Sequence, residues 1–421
     1  MRKVLIITYY WPPGSGAGVQ RWLKFTKYLP GLGWEPLILT VDPVYATYPA
    51  IDNTLSGEVS SDLKVYRTKA TDYFRLYSRD KSRIPSAGFA LDQKKNIPGW
   101  VTKFIRGNFF IPDPRKGWNR FAFSRACTII DKEKIENIIT TSPPHSTQLI
   151  GLRLKKKYPG INWIADLRDP WTDIYFYRQF HPTFISRLVD EGYEKKVLKT
   201  ADRIATVGRS LKELFSSKVP GSGEKIEVIT NGYDPDDFKG KIPSKPVVFT
   251  ISYIGTLSDS YPISGFLDSL SVFNGKGTDF RLRFVGFISK GQKEVILSSV
   301  DYSKVDFIPY VEHSRSVNYL LDSSALLLII PDHHSNNTII SGKLFEYLAA
   351  CKPVICMGPV GGDAELILSE TGHGKTFGYN DSSGVAEYLR YLISNPLIGD
   401  KTAPAQYSRE LLTGKVARLL R

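Results

Sequence analysis

The sequence predicts an α/β protein made of two doubly wound, Rossmann-like domains facing each other across a cleft. Strand-like and helix-like segments alternate along the chain, the alternation restarts after a stretch of turn formers, and 421 residues with 42% hydrophobic content suffice for two large cores. In the first series, strands are expected over residues 3–8, 35–41, 136–140, 162–166, 203–206 and 225–230. Helices are expected between them over 19–29, 145–157, 184–199 and 210–216. Residues 234–246, rich in Pro, Lys and Asp, read as a linker. A second series opens at 247–254 and continues through 281–285, 305–308, 325–330, 353–356 and 375–377. A first domain over 1–240 and a second over 247–400 follow, with a last helix within 401–421, from about Pro404 to Arg421, packing back on the first domain.

Composition narrows the function classes. Cys127, Cys351 and Cys356 are odd in number and scattered, which argues against a disulfide framework or a cysteine zinc site and for a reducing cytoplasm. The longest apolar run, 325–330, is too short to cross a bilayer, and the first residues do not form a signal-peptide core. The net charge of +14 is uneven: residues 71–125 hold twelve basic residues against four acids. Interleaved there are Tyr73, Phe74, Tyr77, Trp100, Phe104, Phe109, Phe110 and Trp118. A basic, aromatic surface suits anionic lipid headgroups at the inner membrane face, so peripheral attachment is one expectation. A solvated insertion with its aromatics turned inward is the other. No nucleic-acid module accompanies the charge, and no nucleic-acid partner is expected.

In doubly wound sheets ligands bind beyond the carboxyl ends of the strands, so the loops leaving those ends are where chemistry is sought. In the first such loop Gly16 and Gly18 stand at a helix start. Backbone amides there approach a phosphate or sugar closely and the helix dipole favours negative charge, although a structural tight turn is the alternative. His145, in Thr141-Ser142-Pro143-Pro144-His145-Ser146, also lies near a helix N-terminus. The dipole leaves it neutral and able to hydrogen-bond, against a plain helix-start histidine. Asp166-Leu167-Arg168-Asp169 follows a buried strand. Either Asp166 or Asp169 is a candidate to take a proton or hold a hydroxyl, the alternative being structural salt-bridging by Arg168. Asp234, Asp236 and Asp237 follow an Asn-Gly turn and read as turn formers, so no metal site is expected.

Residues 338–355 carry the strongest signal: a loop, a short amphipathic helix and a buried strand, with Ser341 and Gly342 at the helix start. Backbone amides together with Lys343 can meet a diphosphate, and Glu346, one turn later, can accept two hydrogen bonds from ribose hydroxyls. A surface acid paired with a lysine is the alternative for Glu346.

These segments together resemble the retaining, nucleotide-sugar-dependent glycosyltransferases of GT-B fold, specifically glycosyltransferase family 4. The resemblance covers nearly the whole chain. It rests on the Gly-rich first loop, Ala201-Asp202-Arg203-Ile204-Ala205-Thr206-Val207, Asn231-Gly232-Tyr233-Asp234, Tyr253-Ile254-Gly255-Thr256-Leu257, Phe284-Val285-Gly286 and Gly342-Lys343-Leu344-Phe345-Glu346-Tyr347-Leu348-Ala349. Two departures stand out. The first glutamate of the family's pair falls on Thr338, and the arginine and lysine that usually face the diphosphate fall on Thr256 and Tyr261, which leaves Lys343 as the substitute cation.

The resemblance implies a sugar transferred from a nucleotide-diphosphate sugar to a hydroxyl of a glycan or lipid-linked saccharide precursor, with anomeric configuration retained. The donor, a co-substrate, sits mainly on the second domain. Ser341, Gly342 and Lys343 meet the diphosphate, Glu346 holds the ribose, the loop 307–311 with Pro309 and Tyr310 lies near the base, and Gly255, Thr256 and Leu344 are further donor-binding positions. Gly16 and Gly18 assist from the first domain, where the acceptor binds near His145, Asp166 and Asp169. No metal or other cofactor is required. The competing readings are a nucleotide-sugar epimerase of the same architecture and a non-catalytic membrane or nucleic-acid binding protein.

Overall fold

The computed structural model describes residues 1–73, 99–244, 246–274, 279–395 and 402–421. It divides into two compact units, Met1–Thr230 with Leu412–Arg421, and Asn231–Leu411, so the division falls at Thr230 rather than near residue 240.

Among its described residues the first unit holds seven strands: β1 (Arg2–Ile7), β2 (Trp34–Val41), β3 (Lys64–Thr68), β4 (Asn137–Ser142), β5 (Asn162–Leu167), β6 (Arg203–Thr206) and β7 (Ile226–Val228). They form one parallel sheet in the order β3-β2-β1-β4-β5-β6-β7. Ile6 of β1 pairs with Ile38 on one side and Ile139 on the other. Alternate β1 residues feed opposite faces: Leu5 and Ile7 enter one apolar cluster, Val4 and Ile6 the other. Both faces are therefore covered, and β1 from Val4 to Ile7 and all of β4 and β5 are buried. The helices are α1 (Ala17–Tyr28), α2 (Gly99–Phe109), α3 (Asn119–Glu133), α4 (Ser146–Lys157), α5 (Phe184–Thr200) and α6 (Arg209–Lys218).

The second unit holds β8 (Phe249–Ile254), β9 (Phe280–Val285), β10 (Val305–Ile308), β11 (Ala325–Ile329), β12 (Val354–Met357) and β13 (Gly374–Phe377). All are parallel, in the order β10-β9-β8-β11-β12-β13. Its helices are α7 (Ser264–Asn274), α8 (Lys290–Ser299), α9 (His313–Leu321), α10 (Gly342–Ala349), α11 (Asp363–Thr371), α12 (Ser382–Ser394) and α13 (Thr402–Ala405), followed by α14 (Arg409–Leu419). Strand order reverses between β1 and β4 in one sheet and between β8 and β11 in the other, so each unit has a switch-point crevice beyond its strands' carboxyl ends.

Three local differences from expectation have physical causes. The expected single helix from Pro404 is split, because the Tyr233 amide donates to the Tyr407 carbonyl (3.1 Å) and the Arg409 amide to the Tyr233 carbonyl (2.8 Å). Beyond that break, Leu412, Val416 and Leu420 enter the cluster on the Ile6 face of β1. The strand β3 was not anticipated; it is an edge strand of mixed polarity, Lys-Val-Tyr-Arg-Thr, tied to β2 by Lys64 on Glu35 (2.8 Å). Of the basic aromatic segment 71–125, residues 74–98 lie outside the described residues. In the remainder Trp118 and Arg115 are buried, and the Trp118 indole donates to Thr68 Oγ1 (2.8 Å), so this part is not uniformly a surface.

Candidate functional site

On the second unit the chemistry gathers at the start of α10. Ser341 is its extended N-cap residue, and no side chain caps the helix, so first-turn amides are left for a ligand or water. Lys343 Nζ donates to the Tyr253 hydroxyl (2.7 Å), which itself donates to the Thr256 carbonyl (2.6 Å). The ammonium also lies 4.1 Å from the Tyr253 ring centroid and 5.9 Å from that of Tyr261. Burial lowers the Lys343 ammonium to about 7, with the Glu346 carboxylate opposing. Burial also raises the Tyr253 phenol well above its ordinary value, so it stays a donor to Thr256.

Two glycines make this packing feasible. Gly255 has φ +124°, and a Cβ there would stand 2.5 Å from Lys343 Cε. Gly286, at φ +123°, would drive a Cβ to 2.4 Å from the Gly255 carbonyl oxygen. A side chain at either position would displace the loop or the lysine. One turn along α10, half-buried Glu346 meets His313 Nε2 through Oε1 (3.1 Å), and the exposed Pro309 and Tyr310 precede His313 in the loop leaving β10.

On the first unit His145 and Asp169 line one cavity of about 90 Å³, with Tyr10, Asp113, Trp171 and Asp190 among its other walls. The His145 ring stacks on Trp171 (4.8 Å between centroids, 16° between planes). Burial, then Arg168 and Lys218, lowers His145 to about 3, so the imidazole is neutral. Its Nδ1 is buried without a hydrogen-bond partner among the described residues. Burial raises the Asp169 carboxyl above its ordinary value, Arg168 opposing. Asp113 fixes the base of the cavity by accepting from the Ser146 amide (2.8 Å) and hydroxyl (2.9 Å), while Asp190 accepts from the Trp171 indole (2.8 Å).

Asp166 is corrected from a candidate for hydroxyl or proton chemistry to a structural anchor. It is wholly buried and accepts from Arg21 Nη2 (2.9 Å) and Nε (3.3 Å), the Trp22 indole (2.9 Å) and the Thr141 hydroxyl (2.7 Å), which leaves no room for an acceptor. Arg168 is 4.0 Å from Asp166 and donates instead to the Ser142 carbonyl (2.9 Å). Its guanidinium would be 2.9 Å from a Cβ on Gly18, so a fixed cation stands beside the N-terminus of α1. The Leu344 side chain is core, and its amide donates to the Ser341 carbonyl (3.1 Å). Gly16, with φ +102°, is the N-cap of α1. Thr338 spends its hydroxyl on the Ser335 carbonyl (3.0 Å). Asp234 caps the turn Pro235–Phe238 through the Asp236 amide (3.2 Å), as a turn former does.

The sequence reading missed Arg21, Tyr253, Trp171 and His313. Arg21 had no signal that set it apart from Lys24 and Lys27 on the same helix. His313, within Glu312-His313-Ser314-Arg315, had none.

No protein-family model matches the sequence, and no curated protein matches it. Solved structures share its fold. Sucrose-phosphate synthase from Thermosynechococcus elongatus superposes with TM-score 0.63 at 13% identity, covering 100% of this chain and 98% of that one. Anabaena HepE in complex with UDP gives 0.63 at 12%, covering 99% and 98%. The lipopolysaccharide outer core galactosyltransferase WaaB gives 0.57 at 12%, covering 99% and 94%. At such identities the likeness is one of fold: two parallel-sheet α/β domains of the GT-B class.

Proposed function

We propose that the protein is a retaining glycosyltransferase of the family 4 kind that moves a sugar from a nucleotide-diphosphate sugar to a hydroxyl of a glycan or lipid-linked precursor. The observation that carries the reading is the start of α10, where an uncapped helix, the Lys343 ammonium and the Glu346 carboxylate lie within one turn beside the Gly255 loop. Lys343 and the helix amides meet the diphosphate, Glu346 takes the ribose hydroxyls, and the loop with Pro309 and Tyr310 borders the base.

Cleaving the bond between sugar and diphosphate passes through an oxocarbenium-like transition state and releases negative charge on the leaving group. Fixed positive charge there is the main catalytic need. Lys343 supplies it in place of the cations absent at Thr256 and Tyr261; the Tyr261 ring instead faces the Lys343 ammonium. The first unit supplies the acceptor side, with Asp169 orienting the hydroxyl and neutral His145 hydrogen-bonding beside it. In this reading neither a metal nor another cofactor takes part, and the protein works in the cytoplasm.

The acceptor-side cavity favours transfer over epimerisation, which needs no acceptor. A thermal-shift panel of uridine, guanosine, cytidine and adenosine diphosphates and their sugars, followed by product analysis with saccharide acceptors, tests the proposal. A nucleotide-dependent rise in melting temperature and a glycosylated acceptor support it. Interconversion of donor sugars without an acceptor overturns it in favour of an epimerase.

A further inference from the structure

The helix α5 packs Val197 and Leu198 into the core at its end, but its earlier turns are amphipathic in the reverse sense from a helix facing water. Its inward face carries Asp190 and Glu194, exposed by only 2% and 1%. Glu194 Oε2 accepts from the Thr172 hydroxyl (2.5 Å) and the Lys218 ammonium (2.7 Å), and Asp190 from the Trp171 indole, so both buried carboxylates are tied to neighbouring elements, with Glu194 Oε1 left without a partner among the described residues. The outward face begins with Phe184, Ile185, Leu188 and Val189, exposed by 76%, 73%, 50% and 41%. Those positions and Gly192, Lys195, Lys196 and Lys199 continue one stripe at helical spacing, every member exposed. The stripe is apolar at the start of the helix and basic at its end; beside it the part-exposed Glu191 accepts from Arg187 Nε (2.6 Å).

The neighbouring helix extends the surface. Asn108 of α2 accepts from the Thr183 amide (2.6 Å) and donates to the His181 carbonyl (3.0 Å), which fixes α2 against the start of α5. The next residue, Phe109, is exposed, as are the cations Lys103 and Arg178.

We propose that the outward face of α5, with Phe109 of α2, docks on an anionic lipid bilayer surface, the apolar side chains entering the headgroup boundary and the lysines meeting lipid phosphates. The juxtaposition fits that partner: contiguous large apolar groups are rarely left in water, and a wholly basic continuation selects an anionic surface. Among the described residues no helix is long and apolar enough to cross a bilayer, so the contact is one of lying on the surface. Elements α2 and α5 also line the His145 cavity through Arg106, Gly107 and Asp190. Docking therefore brings a lipid-borne acceptor alongside that cavity; this consequence rests on the transferase reading, whereas the docking itself does not.

The test is co-sedimentation of the full chain with phosphatidylcholine vesicles, with and without phosphatidylglycerol. The wild type sediments with the anionic vesicles and is released by salt. The double variant Ile185→Ser/Leu188→Ser, which touches only the outward face, partitions about tenfold more weakly. Lys195→Glu/Lys196→Glu removes the preference for anionic vesicles. A second readout, an environment-sensitive dye on Ile185→Cys, shifts its emission to shorter wavelength when vesicles are added. Lys343→Met sediments like the wild type, which separates this surface from the donor site. Absence of wild-type sedimentation, unchanged binding by the serine variant, or an unshifted dye overturns the proposal. So does sedimentation velocity showing a dimer that the serine variant dissolves, which assigns the face to a second copy of the chain.

Discussion

Lys343→Met separates charge from shape at the donor side, since methionine keeps an unbranched apolar stem and loses the ammonium. In the wild type, burial brings that ammonium to about 7. With that value, about nine-tenths of molecules carry the charge at pH 6, about half at pH 7 and about one-tenth at pH 8. If the diphosphate binds only the charged form, apparent affinity scales with that fraction. A lowered lysine is charged below its pKa and loses the charge as pH rises through it. Donor affinity is therefore near maximal at pH 6 and weakens about tenfold per unit above pH 8, and binding takes up close to one proton there. Isothermal titration calorimetry with an intact nucleotide-diphosphate sugar, whose diphosphate has no proton to lose in this range, measures both quantities in buffers of different ionisation enthalpy. Lys343→Met binds weakly, with no pH slope and no proton uptake. The folded state also holds this lysine less charged than the unfolded chain does, so the wild type gains stability as pH rises from about 7 toward the ordinary lysine value. The methionine variant lacks that gain. Wild-type affinity that is flat from acid to alkaline pH, or a slope retained in Lys343→Met, refutes the reasoning.

Further substitutions probe the other groups. Glu346→Gln leaves the His313 contact geometrically possible but removes the charge, and donor Kd rises about tenfold with kcat little changed, as steady-state kinetics will show. Asp169→Asn lowers kcat about a hundredfold at unchanged donor Kd. Because the Asp169 carboxyl is raised by burial, the wild type loses activity as pH falls through that raised value, and the asparagine variant lacks this acid limb. His145 is neutral down to about 3, so the pH profile of kcat shows no inflection from it near the ordinary histidine value; such an inflection abolished by His145→Gln contradicts the assignment. Asp166→Asn leaves buried Arg21 without its anion and costs about 3 kcal/mol, to be read from urea unfolding; a cost within error of zero removes Asp166 from its anchoring role.

Elements governed by local pattern were the legible ones. The central strands β1 and β2 announce themselves through the apolar runs Val4–Ile7 and Leu37–Leu39, because they are buried on both faces. The edge strand β3 is half exposed and polar, so periodicity could not reveal it. The same limit governed the site. Gly255, Lys343 and Glu346 sit in short motifs whose residue types constrain one another through a helix start. The partner of Asp166, by contrast, depends on how α1 packs against β5: Arg168 is two residues away in the chain, yet Arg21, from another helix, takes the carboxylate. Tyr253 falls in the expected strand 247–254, and only the fold brings its hydroxyl to Lys343. The reversed polarity of α5 escaped notice because apolar spacing shows that a helix has two faces and not which one looks outward.

A crystal structure of the protein with a nucleotide-diphosphate sugar bound is the most direct measurement. The account predicts phosphate oxygens within hydrogen-bond distance of Lys343 Nζ and the first amides of α10, with a ribose hydroxyl on Glu346. A nucleotide bound elsewhere, with Lys343 still satisfied only by Tyr253, contradicts it.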